Sequence, residues 1–261
     1  MCTLIAIHRR VTGAPLVVAA NRDEFYARPA EGPALRESAS GATVAPRDVL
    51  AGGTWLGLSE RGVFAAVTNR RCPDPDPARR SRGLAVADAL AAGSAAEAAG
   101  RLAELPRAAY NPMNLFVADA ERAFQLVYED TPVVEEVAPG VSVVGNTDPN
   151  ALDVPKVARA MEQAAAAAVL SPDAALDALA DVCRSHDGED GPLSDTCVHT
   201  ESYGTRSSLL LVLSERPDES RLLYADGPPC ENEYLDFTRL LRELSQRARY
   251  ASGEIPARMA S

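Results

Sequence analysis

The feature that most constrains this chain is a pair of apolar runs that follow Cys2 and end in a polar cluster. The runs cover residues 3–7 and 16–20, with a turn around Gly13 between them, and the cluster is formed by residues 21–24. Two apolar runs of similar length joined by a turn predict an antiparallel β-hairpin. The end of the second strand then returns beside the start of the first. Cys2 and residues 21–24 are therefore expected to be neighbours in space.

The position of Cys2 suggests a chemical use. Its side chain is small, so we expect removal of Met1, which would leave Cys2 with a free α-amine. Such an amine titrates near pH ~7.7–8, within the working range of a general base. A mature Cys2 would hold a thiol nucleophile and that base in one residue, and Asp23 could orient the pair. The alternative is that Cys2 is a small apolar residue at a strand start and that residues 21–24 form a polar turn.

Composition and charge narrow the class of protein. The chain has 261 residues, 46% of them hydrophobic and 24% charged, and we predict one domain over 1–250 followed by a loose tail at 251–261. A net charge of −11 disfavours binding to nucleic acid or to an anionic membrane surface. There is no apolar run of 18 residues and no signal-peptide pattern, so we expect no membrane span and a cytoplasmic location. The five dispersed cysteines are expected to be free thiols.

Beyond the hairpin, the pattern alternates between groups of strands and pairs of helices. Residues 25–51 are polar and contain three prolines, which predicts a long loop. The strands predicted after it lie at 52–59, 63–68, 114–118, 123–128, 133–137, 141–145, 207–213 and 221–224, and the helices at 84–92, 95–105, 156–170, 174–183 and 234–248. This order fits an α+β fold, a four-layer αββα sandwich of two mostly antiparallel sheets covered by helices, better than a parallel βαβ sheet.

Six motifs together resemble one known family. They are, in chain order, Asn21-Arg22-Asp23-Glu24, Gly52-Gly53-Thr54-Trp55-Leu56-Gly57, Thr68-Asn69, Ser81-Arg82-Gly83, Tyr110-Asn111-Pro112-Met113-Asn114-Leu115 and Tyr203-Gly204-Thr205-Arg206-Ser207-Ser208. In this order, over about residues 1–226, they resemble the NRDE-motif family, also called transport and Golgi organization 2. That family is similar to the N-terminal-nucleophile (Ntn) hydrolases of the penicillin V acylase and choloylglycine hydrolase type. Those enzymes begin Met-Cys-Thr, lose the Met and attack an amide with the Cys.

The resemblance implies the αββα sandwich and a set of site residues. Asp23 matches the aspartate that bonds the amine of the nucleophile, Asn69 matches an oxyanion-hole asparagine, and Asn146 matches a second active-site asparagine. Arg206 takes the place of a late arginine, so the expected catalytic set is Cys2, Asp23, Asn69, Asn146 and Arg206. The expected substrate contacts are Asn21, Arg22, Trp55 and Thr68. Considered alone, the two catalytic asparagines are also typical of strand-end caps, and Trp55 of a packed residue at a strand start.

One position departs from the acylase pattern, which is Arg-Asn-x-Asp. Ala20 stands where that pattern has arginine, and Arg22 lies between Asn21 and Asp23. Since adjacent side chains of a strand point to opposite faces, we expect that Arg22 does not replace the missing arginine unless the strand ends or bulges there. We also expect Arg22 or Arg206 to offset the charge of Asp23, which predicts a net electropositive pocket.

The function expected from these residues is that of a cysteine Ntn hydrolase or acyltransferase that cleaves a small amide or thioester through an acyl intermediate on Cys2. The alternative is a non-catalytic carrier that uses the same pocket, because members of the family have been linked to haem movement and to acyl-CoA or lipid metabolism. The expected partner is a small molecule. We expect no cofactor, although haem is a candidate ligand of such a carrier.

A second cluster of residues has the composition of a metal site. The pairs Cys183-x2-His186 and Cys197-x-His199 contain side chains that suit zinc. The Cys-x-His spacing is tighter than the usual spacing of zinc ligands, so the sequence predicts no metal site.

Overall fold

The computed structural model describes residues 2–251, without the side chains of residues 250 and 251. The strands in this range are β1 (Thr3–Val11), β2 (Ala14–Phe25), β3 (Ala30–Ser38), β4 (Gly41–Asp48), β5 (Leu56–Ser59), β6 (Phe64–Asn69), β7 (Met113–Ala118), β8 (Ala123–Tyr128), β9 (Pro132–Val137), β10 (Gly140–Val144), β11 (Tyr203–Leu213), β12 (Arg221–Ala225) and β13 (Leu235–Asp236). The α-helices are α1 (Arg82–Leu90), α2 (Ala95–Ala103), α3 (Pro155–Ala167), α4 (Pro172–Arg184) and α5 (Thr238–Ala251). The predicted tail lies outside the described residues, apart from its first position.

The strands form two antiparallel sheets. Sheet A has the spatial order β10-β1-β2-β11-β12-β13, and sheet B has the order β3-β4-β5-β6-β7-β8-β9. Helices α3 and α4 pack on the outer face of sheet A, and α1 and α2 pack on the outer face of sheet B. Helix α5 packs against β12 of sheet A and against β3 and β4 of sheet B. The predicted α+β class and αββα sandwich are confirmed.

Alternation along β1 explains why the layers stack in this way. Leu4 and Ala6 lie in the apolar core between the two sheets, whereas Ile5 and Ile7 lie in the core between sheet A and its helices. Both faces of this strand are apolar because both are covered, and successive side chains point to opposite faces. The same alternation directs Cys2, two residues before Leu4, towards the space between the sheets.

Local signals explain where several helices begin. The hydroxyl of Ser94 accepts a hydrogen bond from the backbone N–H of Glu97, as expected for a residue that caps the start of α2. Ser171 caps α4 in the same way, and Pro172 occupies the first turn of that helix. Among residues 2–251, no helix combines the length and the apolar character needed to cross a bilayer.

One local prediction was wrong, and one alternative does not hold. The predicted loop over residues 25–51 contains the hairpin of β3 and β4, with an irregularity in pairing between Glu31 and Ala34 that includes Pro33. Strand β3 lies at the edge of sheet B, where a proline and polar side chains are tolerated because one side of the strand has no partner. Strand β2 extends to Phe25, so residues 21–24 belong to a strand and do not form a polar turn.

The inter-sheet core predicts a contrast between two leucines. Leu16 is fully buried between the sheets, while Leu152 is 61% exposed. Leu16→Ala is expected to lower the free energy of unfolding by about 2–5 kcal/mol, because it removes buried methyl groups and leaves a cavity. Leu152→Ala is the matched control and should cost less than about 0.5 kcal/mol. Urea denaturation measures both values, and equal losses would contradict the assigned layers.

Candidate active site

The pairing of β1 with β2 brings Cys2 to the polar end of β2. Thr3 pairs with Asn21 in this antiparallel register, which places residue 2 next to Arg22 and Asp23. Cys2 is half-buried, and its thiol donates a hydrogen bond to the backbone carbonyl of Asp23, with 3.7 Å between sulfur and oxygen. The hairpin and its predicted neighbours are therefore present in the structure.

Asp23 is a buried carboxylate held by several groups. The hydroxyl of Thr205 donates to its Oδ1 atom at 2.7 Å, because β11 pairs with β2 and sets Thr205 opposite Asp23. Lys156 Nζ lies 4.0 Å from Oδ2 of the same carboxylate. The phenol of Tyr203 donates to the backbone carbonyl of Asp23 at 3.1 Å. Asp23 is thus fixed by groups from β11 and α3.

Cys2 lines two cavities. The first, of about 110 Å³, is bordered by Arg22, Arg82, Trp55 and Asn69. The second, of about 210 Å³, has a more apolar wall formed in part by α3 and also includes the residues Arg71, Asn146, Thr147 and Lys156. A thiol shared by two cavities can contact the reacting bond of a ligand that extends into both.

Arg22 lies on the face of β2 that was not expected. Ala20 and Arg22 are two residues apart and therefore share the inter-sheet face, so the alternation of side chains does not keep Arg22 from the place of the missing arginine, contrary to the expectation from sequence. The guanidinium lies 4.4 Å from the ring centroid of Trp55, and Nη2 lies 3.8 Å from Glu24 and 3.9 Å from Asp48. Trp55 thus supports Arg22 and also lines the cavity.

The two predicted asparagines lie together, one from each sheet. Asn69 ends β6 of sheet B, Asn146 follows β10 of sheet A, and the side-chain amide of Asn146 donates to the backbone carbonyl of Asn69. Thr68 has a different role from the one predicted. Its hydroxyl is buried and donates to the carbonyl of Gly145 at 2.5 Å, so it links the sheets and lines neither of the two cavities.

Asn21 and Arg206 also lie outside the two cavities. The buried amide of Asn21 donates to the carbonyls of Cys183 at 2.8 Å and Thr196 at 3.0 Å. This contact joins β2 to α4 and the loop that follows, and it leaves Asn21 on the opposite face from Arg22. Arg206 is the extra residue where the pairing of β11 with β2 shifts between Thr205 and Ser207. Arg206 borders neither of the two cavities that Cys2 lines.

The electrostatics of the site oppose ionisation of the thiol. Burial raises the pKa of Cys2 above its ordinary value, and this effect exceeds the lowering by the positive charge of the N-terminus; the charge of Asp23 also raises the pKa, while Arg22 lowers it. At neutral pH the Cys2 thiol is therefore protonated when residue 1 is still attached. The two cavities are lined by the cations Arg22, Arg28, Arg71, Arg82 and Lys156 and by the carboxylates Asp23, Glu24, Asp48 and Asp190. The positive excess is only one charge, and it does not come from Arg206.

Several residues of the site carry no signal that stands out in the sequence. The sequence pattern predicts only that Lys156 lies in a helix, although this residue is the one lysine among 26 basic residues. Thr205 and Arg82 belong to motifs that carry the family resemblance, but the motifs alone predict no role for either. Arg82 lines the same cavity as Cys2, and its burial lowers the pKa of the guanidinium.

The potential metal ligands that group together in the described part of the chain do not include Cys2. They are His186, Cys197, His199 and Cys230, and all four lie outside the two cavities. The side chains around Cys2 are instead carboxylates, amides and cations.

The contacts of the asparagines predict different effects on stability. Asn21→Ala should lower the free energy of unfolding by about 1–3 kcal/mol, because two buried carbonyls lose their donor. Asn69→Ala, at the half-buried cavity wall, should cost less because water can reach the vacated groups. Denaturant titration of both variants makes the comparison. A larger loss for Asn69→Ala would contradict the structural role given to Asn21.

Sequence comparisons identify relatives that align with part of the chain. The bovine Transport and Golgi organization protein 2 homolog is 38% identical over 149 residues, which is 50% of this chain and 50% of the relative. The human homolog is 37% identical over 112 residues, or 41% of this chain and 40% of the relative. The aligned segment thus spans about half the length of these curated relatives or less.

Structural comparisons agree on the fold. The Caenorhabditis elegans N-acylethanolamine-hydrolyzing acid amidase ortholog matches with a TM-score of 0.53 and 10% identity over 81% of this chain and 92% of that chain. A mutant of the conjugated bile acid hydrolase from Clostridium perfringens matches with a TM-score of 0.51 and 13% identity over 92% of this chain and 93% of that chain. These similarities establish an Ntn-hydrolase-like sandwich. A sequence model of one family matches residues 1–221, and the chain therefore belongs to the Transport and Golgi organisation 2 family.

Proposed function

We propose that this protein is an Ntn-type hydrolase or acyltransferase that acts on a small amide or thioester through Cys2 after removal of Met1. The observation that carries the proposal is the position of the Cys2 thiol on the shared border of two cavities, where it donates a hydrogen bond to the backbone carbonyl of Asp23. The similarity to an amidase and a bile acid hydrolase supports the reaction class through the fold alone.

The reaction begins with transfer of the Cys2 thiol proton to the free α-amine. The sulfur then attacks the carbonyl carbon, an S–C bond forms, and the carbonyl oxygen becomes an oxyanion. The side-chain amides of Asn69 and Asn146 are the candidate donors to that oxyanion. Collapse of the intermediate breaks the C–N or C–S bond, and the leaving amine or thiol takes the proton from the α-ammonium. Water, or another acceptor, then releases the acyl group from Cys2.

Asp23 and Lys156 set the charge around the base. A carboxylate alone would favour the protonated α-amine and hinder its use as a base. Lys156 Nζ, 4.0 Å from Oδ2 of Asp23, offsets part of that negative charge. Thr205 donates to Oδ1 and holds the carboxylate in one orientation. Asp23 thus positions the amine while its charge is partly neutralised.

Two buried cationic groups indicate the chemistry of the substrate. Arg22 Nη1 and Lys156 Nζ are buried without a hydrogen-bond partner in the described part of the chain, and Arg22 borders one cavity while Lys156 borders the other. An unsatisfied buried donor is costly, and an anionic acceptor would satisfy it. We therefore infer that the substrate carries a carboxylate or phosphate group near the reacting bond.

The first test measures whether the reactivity of the Cys2 thiol depends on the removal of the residues that precede it. A chain with a cleavable N-terminal tag is compared before and after cleavage to a free Cys2, and alkylation of Cys2 is followed by peptide mass mapping across pH. The uncut form should react more slowly than a model thiol at neutral pH, because burial raises the pKa of Cys2. The cut form should react at least about tenfold faster than the uncut form, which corresponds to one unit of thiol pKa.

Two variants complete this test. Cys72→Ser retains Cys2 and should leave the difference between the cut and uncut forms unchanged. Asp23→Asn should slow alkylation in the cut form, because the loss of the group that positions the α-amine should outweigh the removal of a negative charge that raises the pKa of Cys2. Intact-mass measurement after incubation with acyl thioesters and N-acyl amides should detect an acyl adduct that is absent in Cys2→Ala. If the cut and uncut forms react equally and no substrate acylates Cys2, the nucleophile proposal fails.

The cationic lining also supports a second candidate, a carrier that binds an anionic ligand such as haem or an acyl-CoA without turnover. In the described residues, the three histidines line neither cavity beside Cys2. Cys2 is therefore the residue that would bind the iron of a haem held there. Haem titration should then give a thiolate-type absorbance that is lost in Cys2→Ala and kept in Cys72→Ser. An unchanged spectrum in Cys2→Ala would argue against haem binding at this site.

A further inference from the structure

A cluster of two cysteines and two histidines lies outside the candidate active site. His186 follows α4, Cys197 and His199 lie on the segment before β11, and Cys230 lies on the loop between β12 and β13. Their four ligand atoms all lie within 4.8 Å of one another. We propose that these four side chains form a structural zinc site.

The distances within the cluster match the size of a tetrahedral zinc site. Zinc bound by two sulfurs and two nitrogens at the usual bond lengths separates its ligand atoms by about 3.3–3.8 Å. The two sulfurs, of Cys197 and Cys230, lie 3.4 Å apart. His199 Nε2 lies 3.6 Å from the sulfur of Cys197 and 3.1 Å from that of Cys230. Only small adjustments are needed to place a zinc ion between these atoms.

The identity of the ligands favours zinc over harder cations. A Cys2His2 set is one of the standard structural zinc sets, whereas magnesium and calcium prefer oxygen ligands. With four protein ligands, the coordination sphere is closed and leaves no position for a substrate. The two cysteines are free thiols, and their sulfurs are well beyond the ~2.05 Å of a disulfide bond.

Surrounding contacts hold the ligands in place. The Nδ1 atom of His186 lies 3.9 Å from a carboxylate oxygen of Asp195, which leaves Nε2 directed elsewhere, as in carboxylate–histidine–zinc arrangements. The backbone N–H of Cys197 donates to the carbonyl of Ser185 at 3.0 Å. Cys197 is buried, His199 is half-buried, and His186 and Cys230 are exposed. Cys197 thus forms the buried side of the site, and the exposed His186 and Cys230 leave the site open to metal entry from solvent.

The fourth ligand explains why the sequence predicted no metal. That prediction weighed Cys183 with His186, and Cys197 with His199, but Cys183 is buried in α4 and is not a member of the cluster. The fourth potential ligand is instead Cys230, on the loop that follows β11 and β12 in the sequence. The folded chain therefore completes a ligand set that is not contiguous in sequence.

The zinc site would act on the candidate active site through Thr205. The backbone N–H of Val198, between Cys197 and His199, donates to the hydroxyl of Thr205 at 2.9 Å. That hydroxyl in turn donates to Asp23. Metal bound on both sides of Val198 would hold this two-step hydrogen-bond chain in place. The proposal does not depend on catalysis, because the ligand set stands on its own geometry.

Metal analysis of the purified full chain tests the proposal. Protein prepared with zinc and a reductant should contain about one zinc per chain. Cys230→Ser and His186→Ala change exposed residues, so folding should be preserved, and each should lower the zinc affinity in competition with a chelator by at least about tenfold. Cys72→Ser is the matched control and should bind zinc as the wild type does. Equal affinity in Cys230→Ser and the wild type would overturn the proposal.

Two further measurements distinguish a bound zinc ion from a cluster of metal-free thiols or a disulfide. Cobalt added to the metal-free wild type should give the charge-transfer absorbance of a thiolate-bound tetrahedral ion, and Cys230→Ser, which retains only the thiolate of Cys197, should give a weaker band. Zinc should raise the melting temperature of the metal-free wild type, and the rise at the same zinc concentration should be smaller in Cys230→Ser. A zinc-free protein with a Cys197–Cys230 disulfide, found by non-reducing peptide mapping, would overturn the proposal, as would failure of the reduced wild type to take up zinc.

Discussion

The antiparallel pairing of β1 with β2 is the constraint on which the candidate site depends. In this register Thr3 lies opposite Asn21, so Cys2 lies beside Arg22 and Asp23. A shift of one residue would turn every side chain of β1 to the opposite face. Because β10 also pairs with β1, and both faces of the strand are covered by apolar layers, the position of Cys2 is set from several sides.

Polar contacts join the two sheets at the end of the sandwich where Cys2 lies. Thr68 donates to the carbonyl of Gly145, and Asn114 donates to the carbonyls of Gly145 and Thr147. Further along the strands, the same interface is filled by leucine, valine, alanine and phenylalanine. The apolar part stabilises the sandwich, while the hydrogen-bonded part satisfies the backbone groups where the strands end. The two cavities lie along this polar end, beside the amides of Asn69 and Asn146.

The charges near Cys2 differ from those of the chain as a whole. The protein carries a net charge of −11, yet the cavities that the thiol borders are lined by five cations and four carboxylates, a positive excess of one charge. Arg22 stacks on Trp55, and Lys156 lies near Asp23, so both are retained in buried positions by specific partners. The anionic ligand proposed above would be attracted by Arg22 and Lys156 and repelled by the rest of an acidic surface. The site and the rest of the surface therefore differ in how they would interact with an anion.

The sequence by itself determined most of the element types, although not the hairpin of β3 and β4, together with the layer order and the hairpin that brings Cys2 to Asp23. These follow from local alternation of apolar residues, from caps such as Ser94, and from motifs whose residues are close in sequence. Only the tertiary structure decided which partners meet. Lys156, Thr205 and Cys230 reach their neighbours from elements far along the chain, and Thr68 and Asn21 turned out to link layers. Periodicity assigns a side chain to a face, but the register and packing of distant strands decide what that face touches.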